Sequence, residues 1–114
     1  MFVLANLIGV IPPATTPFRA DGTIVYGAVR SQIDWLIEAG ANGIAVGGST
    51  GEGHTLTSVE FERVIGVASE ALEDRVPMIA GIIVNSTREA IKRGEAAAAR
   101  GVAGHASTLS ISAR

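Results

Sequence analysis

Apolar and polar positions change period several times along this chain, and each change marks an element. Ile8-Gly9-Val10-Ile11 is a short apolar run that stops at Pro12-Pro13. Proline has no N–H to give a ladder, so the run reads as a first strand with prolines at its margin. Asp21-Gly22 is a turn signal, and Tyr26 precedes a helix. From about Gly27 to Ala39 the apolar positions Val29, Ile33, Leu36 and Ile37 fall on one helical face, and Gly40 suits the position just past its end. Trp35 is expected to pack, at a layer or subunit contact. Gly43 to Gly47 is apolar on both faces, as a parallel interior strand should be.

The second half repeats the order. Thr57 and Glu60 have capping-box spacing and open a helix from about Ser58 to Glu73. Phe61, Val64, Ile65, Ala68 and Leu72 form its stripe. Met78-Ile79-Ala80-Gly81-Ile82-Ile83-Val84 is the most β-prone run and reads as a third strand. Ser86 and Glu89 repeat the capping spacing and open a third helix to about Arg100, with Ile91, Gly94, Ala97 and Ala98 as its small-residue face. The order is βα, βα, βα, with one unit roughly every thirty residues, as parallel crossovers require. From His105 to Arg114 the pattern breaks into a weak alternation without a buried-strand run. It reads as an edge strand or a frayed end, and the frayed end is favoured, produced by an altered reading frame, with the edge of the third strand left bare and prone to associate.

Between the second strand and the second helix lies Gly47-Gly48-Ser49-Thr50-Gly51-Glu52-Gly53. Its glycines permit a sharp turn with exposed N–H groups, and Ser49 and Thr50 add two hydroxyls. Backbone donors near a helix N-terminus favour a carboxylate or a phosphate. Three readings are open: a plain βα turn, a degenerate P-loop, and the anion-binding turn of a barrel enzyme. Gly48 and Gly53 have the P-loop spacing and Thr55 the hydroxyl position, but His54 stands where the lysine belongs.

Composition narrows the classes. A chain of 114 residues can bury one modest core. A net charge of −2 gives no reason to bind nucleic acid or an anionic membrane. The absence of cysteine excludes disulfides and thiolate chemistry, and His54 and His105 belong to no metal-ligand pattern, so no metal and no cofactor are expected. The apolar start has no positive flank and runs into Gly9 and the prolines, which reads as a cytoplasmic protein without a leader.

Several motifs, in order and spacing, resemble one family over residues 8–104. They are Gly9-Val10-Ile11-Pro12 with Thr16-Pro17-Phe18, Asp21-Gly22, Glu38-Ala39-Gly40 with Gly43-Ile44, and Gly48-Ser49-Thr50-Gly51-Glu52. Thr55-Leu56-Thr57 with Glu60, Arg75-Val76-Pro77-Met78-Ile79-Ala80-Gly81, and Ser86-Thr87 with Glu89-Ala90 complete the set. The chain is similar to the N-terminal part of the dihydrodipicolinate synthase / N-acetylneuraminate lyase family of Schiff-base aldolases and lyases. The resemblance implies an α/β fold: the N-terminal three βα units of a truncated (β/α)₈ TIM barrel over residues 1–104, with a non-matching tail over 105–114. It also implies a homo-oligomer acting on a pyruvate-like 2-oxo acid. Gly48, Ser49, Thr50 and Gly51 would hold the keto-acid carboxylate, and Thr50 would join a hydroxyl relay.

The same resemblance puts a Schiff-base lysine on strand six and a tyrosine after strand four. Neither has a counterpart here. Lys92, the single lysine, lies in the third helix and reads as a surface charge, and Tyr26 lies before the first helix. The expectation is therefore an inactive, self-associating part of a carbon–carbon lyase that keeps its carboxylate turn. The alternative is a non-catalytic α/β fragment that binds an anion or nucleotide at the same turn.

Overall fold

Strand propensity peaks in Met78–Val84, and that run is the centre of the sheet. The computed structural model describes residues 9–48, 50–99 and 106–112, the last as a strand backbone. Its elements are α1 (Tyr26–Glu38), β1 (Ile44–Val46), a 3₁₀ turn (Gly53–Thr55), α2 (Ser58–Leu72), β2 (Met78–Val84), α3 (Thr87–Ala99) and β3 (Ala106–Ser112). The sheet is parallel, in the order β1-β2-β3. Its register runs from Ile44 opposite Met78 to Val46 opposite Ala80, and from Met78 opposite Ala106 to Val84 opposite Ser112.

Two expectations about strands need correction. The first apolar run is not a regular strand. Residues 10–14 follow β1 as an extended segment: Asn42 N donates to Val10 O (2.8 Å), Ala45 N to Pro12 O (3.0 Å) and Ala14 N to Ala45 O (2.7 Å). Pro12 and Pro13 bring carbonyls but no N–H, so the ladder shrinks to one bridge between Pro13 and Ala45. Ile8 lies outside the described residues. The second correction concerns the tail. Residues 106–112 are a strand paired along the whole of β2, and the frayed end and bare edge are not what forms. Seven residues of unpaired β2 backbone are a strong template. Thr108 and Ile111 are β-branched, so a weakly alternating segment meets what the ladder asks. The residues from Arg100 to His105 lie outside the described set.

The helices follow their stripes. In α1, Val29 and Ile33 are buried while Leu36 and Ile37 pack partly on the core, and Gly40 closes the helix at φ +102°. Trp35, expected at a layer or subunit contact, is 65% exposed on the single chain and so is not part of a layer contact. In α2, Phe61, Val64, Ile65, Ala68, Ala71 and Leu72 are buried. The capping box is complete: Glu60 N donates to Thr57 Oγ1 (3.1 Å) and Thr57 N to Glu60 Oε1 (3.0 Å). Thr57→Ala should lower stability by about 1 kcal/mol in urea denaturation, because it strands a first-turn donor. At the other end of α2, Arg75 Nε donates to Leu72 O (3.0 Å) and its Nη2 reaches Asp34 Oδ1 (2.7 Å), tying α2 to α1.

The third helix is rotated from its expected face. Ile91 is 58% exposed and Ala98 is exposed, while Arg93 and Ala97 are buried and Ala90 packs on the core. A helix this rich in alanine has little apolar area to fix its rotation. A long arginine stem can therefore take the core side when its charged end finds acceptors.

Candidate functional site

The glycine-rich turn leaves β1 at its carboxyl end, the end at which parallel α/β sheets bind ligands. Gly47 turns the chain at φ +78°. The backbone then folds back on itself and onto β2 at distances that only glycine allows. A Cβ on Gly53 would lie 1.8 Å from Gly47 O, and one on Gly81 would lie 2.5 Å from Gly48 Cα. Gly53 N donates to Gly48 O at 3.0 Å and closes the turn.

Two side chains from distant parts of the sequence hold this turn. Thr16, 5% exposed, donates its hydroxyl to Gly51 O at 2.6 Å. Arg93, 8% exposed, donates from Nη1 to Gly53 O (3.0 Å) and from Nη2 to Leu56 O (2.7 Å), with its guanidinium 4.8 Å from the centre of the Phe61 ring. Burial lowers the Arg93 pKa, and the Glu89 carboxylate acts in the opposite direction. Neither role was visible in the sequence. Thr16 belongs to a Thr-Pro pair but nothing ties it to residue 51, and an arginine inside a polar helix reads as a solvated charge.

Of the predicted site residues, Gly48 is half-buried, Thr50 exposed and Gly51 buried, while Ser49 lies outside the described residues. The N–H groups of Gly53, Thr55 and Leu56 donate to Gly48 O, Glu52 O and Gly53 O within the turn. Those of Thr50 and Gly51 donate to no backbone acceptor among the described residues.

The turn departs from a P-loop in two respects. A P-loop runs directly into its helix. Here a 3₁₀ turn intervenes, and α2 starts only at Ser58. The Thr55 hydroxyl, which would serve the metal of a nucleotide, donates to Glu52 O at 2.7 Å. Lys92 is 3.9 Å from Glu89 with its side chain 67% exposed, and it lines a cleft of about 320 Å³ with α2 residues Ser58, Phe61 and Glu62. Among the described residues no three metal-binding side chains converge, and no helix is long and apolar enough to cross a membrane.

The parallel βα order is that of the N-terminal part of an α/β barrel, and comparison with known proteins gives the family. The model of the dihydrodipicolinate synthetase family matches residues 6–109, and the chain belongs to that family. A 4-hydroxy-tetrahydrodipicolinate synthase of Methanococcus maripaludis is 45% identical over 96 residues, 84% of this chain and 33% of the relative. A dihydrodipicolinate synthase of Acinetobacter baumannii, solved with pyruvate, superposes with a TM-score of 0.83 at 36% identity, over 91% of this chain and 35% of that one. An N-acetylneuraminate lyase of Mycoplasma synoviae does so with a TM-score of 0.77 at 29% identity, over 83% of this chain and 33% of that one. The chain thus spans about a third of the length of the curated relatives it matches. The family match takes in residues 105–109, the first half of the segment expected to fall outside it.

Proposed function

We propose that this chain carries the carboxylate-holding turn of a pyruvate-dependent Schiff-base aldolase or lyase, on the N-terminal βα units of a (β/α)₈ barrel. Gly48, Ser49, Thr50 and Gly51 hold the carboxylate of a 2-oxo acid, and Thr50 supplies a hydroxyl to the proton relay. The observation that carries this reading is the pinned Gly51 carbonyl. With Thr16 fixing one side of that peptide region, the Thr50 and Gly51 amides are left for a ligand. The synthase solved with pyruvate supplies the ligand class. Lys92, on α3 and beside Glu89, is not placed to act as a Schiff-base nucleophile at this turn. The nucleotide-binding alternative is weakened by the helix start at Ser58 and by the engaged Thr55 hydroxyl.

Two experiments test this. Borohydride reduction with pyruvate, followed by mass spectrometry, should give no specific adduct on Lys92. That amine is exposed beside a carboxylate, where nothing activates it as a nucleophile. A stoichiometric adduct there would overturn the inactive reading. Separately, pyruvate should bind at about millimolar strength, roughly −4 kcal/mol, since the turn is open to water. Micromolar ATP binding with shifts at His54 and Thr55 would favour the nucleotide alternative.

Self-association belongs to the same proposal, at a different edge from the one first expected. With β2 covered, the second edge of β3 is the open one among the described residues. Sedimentation should show a concentration-dependent oligomer, and a strict monomer at high concentration would refute it.

A further inference from the structure

We infer that Arg93 is a positioning residue for the carboxylate turn, setting its geometry from α3; the ligand half of this inference rests on the carboxylate reading above. The argument begins with cost. Arg93 is 8% exposed as a residue, and its buried Nε finds no partner among the described residues. Burying such a charge is unfavourable, and a well-packed apolar side chain of similar volume usually serves stability as well or better. Filling the space above Phe61 therefore does not require arginine.

What an apolar side chain lacks is two directional donors in a fixed fork. Here the fork spans Gly53 O and Leu56 O, the two ends of the 3₁₀ turn that follows Gly51-Glu52. The segment from Gly48 to Leu56 is thus held at three points. Thr16 holds Gly51 O, the Gly53 amide holds Gly48 O, and Arg93 holds the far end. Residues 50 and 51, which carry the proposed ligand donors, lie between Gly48 and the Arg93 anchor at Gly53. Without that anchor the turn would keep the Thr16 and Gly48–Gly53 bonds but lose its tie to α3 at Gly53 and Leu56, and preorganisation for the ligand would fall.

The test compares the unaltered chain with Arg93→Met, which keeps a long stem without donors, and Arg93→Lys, which keeps a charge and a donor. In the ligand-free chain, Arg93→Met should speed amide exchange at Gly53 and Leu56 by about tenfold or more and that of β2 by less than about twofold. Its pyruvate Kd should rise by about five- to tenfold, with Arg93→Lys recovering part of both effects. Unchanged exchange at Gly53 and Leu56, or equal acceleration at β2, would overturn the inference and leave Arg93 an ordinary core residue. Should Arg93→Met not fold, Arg93→Lys alone decides by the same ratio of turn to β2 exchange. If the unaltered chain binds no pyruvate while the exchange pattern holds, the carboxylate reading fails and the positioning of the turn by Arg93 stands.

Discussion

Gly53→Ala should be the most damaging small substitution in the chain, costing about 3 kcal/mol or more. Overpacking a well-filled site typically costs about 1–3 kcal/mol when side chains can yield. Here the new Cβ would lie 1.8 Å from the carbonyl oxygen of Gly47, which is backbone at the end of β1 and cannot swing aside. Against a total stability of about 5–15 kcal/mol, and toward the low end for a short chain, such a loss leaves much of the population unfolded. Gly48→Ala is the matched control. No atom lies within 4 Å of a Cβ at that position, so its cost should stay within about 1 kcal/mol. Urea denaturation of both variants should separate them clearly. Equal stabilities would mean that the turn does not fold back on Gly47.

Phe61→Ala should cost about 3–5 kcal/mol, the range for truncating a buried aromatic side chain. Phe61 is 1% exposed, lies below Gly47, and carries the Arg93 guanidinium over its ring. Its removal opens a cavity and takes away the surface on which the buried charge rests. Val59, two residues earlier on the same helix, is 75% exposed, and Val59→Ala should change stability by about 0.5 kcal/mol or less. Thermal unfolding followed by circular dichroism checks both. A Phe61→Ala chain as stable as the original would show that the ring is not part of the core.

These two positions also mark how far the sequence could be read. Helix α2 was legible nearly to the residue, because a capping box and a clean stripe agree on one register. Strand β2 was legible because seven β-prone residues stand between turn signals. The glycine turn was legible as a tight βα turn, because only glycine suits the positive φ at residue 47 and the close approach at residue 53. The first strand was overread: apolar character suggested a ladder, whereas two prolines left only carbonyls to make one. The tail was underread, since its pairing comes from the open edge of β2, a tertiary fact with little trace in residues 106–112. The rotation of α3 was missed for a similar reason. Arg93 is on the core side because carbonyls from residues 53 and 56 wait there, forty and thirty-seven positions away in sequence. Local pattern carries no information about such acceptors.

The central claim is that the turn after β1 binds a carboxylate, and a paired titration tests it most directly. Backbone amide shifts of the unaltered chain would be followed with pyruvate and with hydroxyacetone, which has the same carbon skeleton without the carboxylate. The account predicts saturable shifts at Gly48, Thr50 and Gly51 with pyruvate, at about millimolar strength, and none with hydroxyacetone. Equal shifts with both compounds, or pyruvate shifts confined to residues away from the turn, would contradict it.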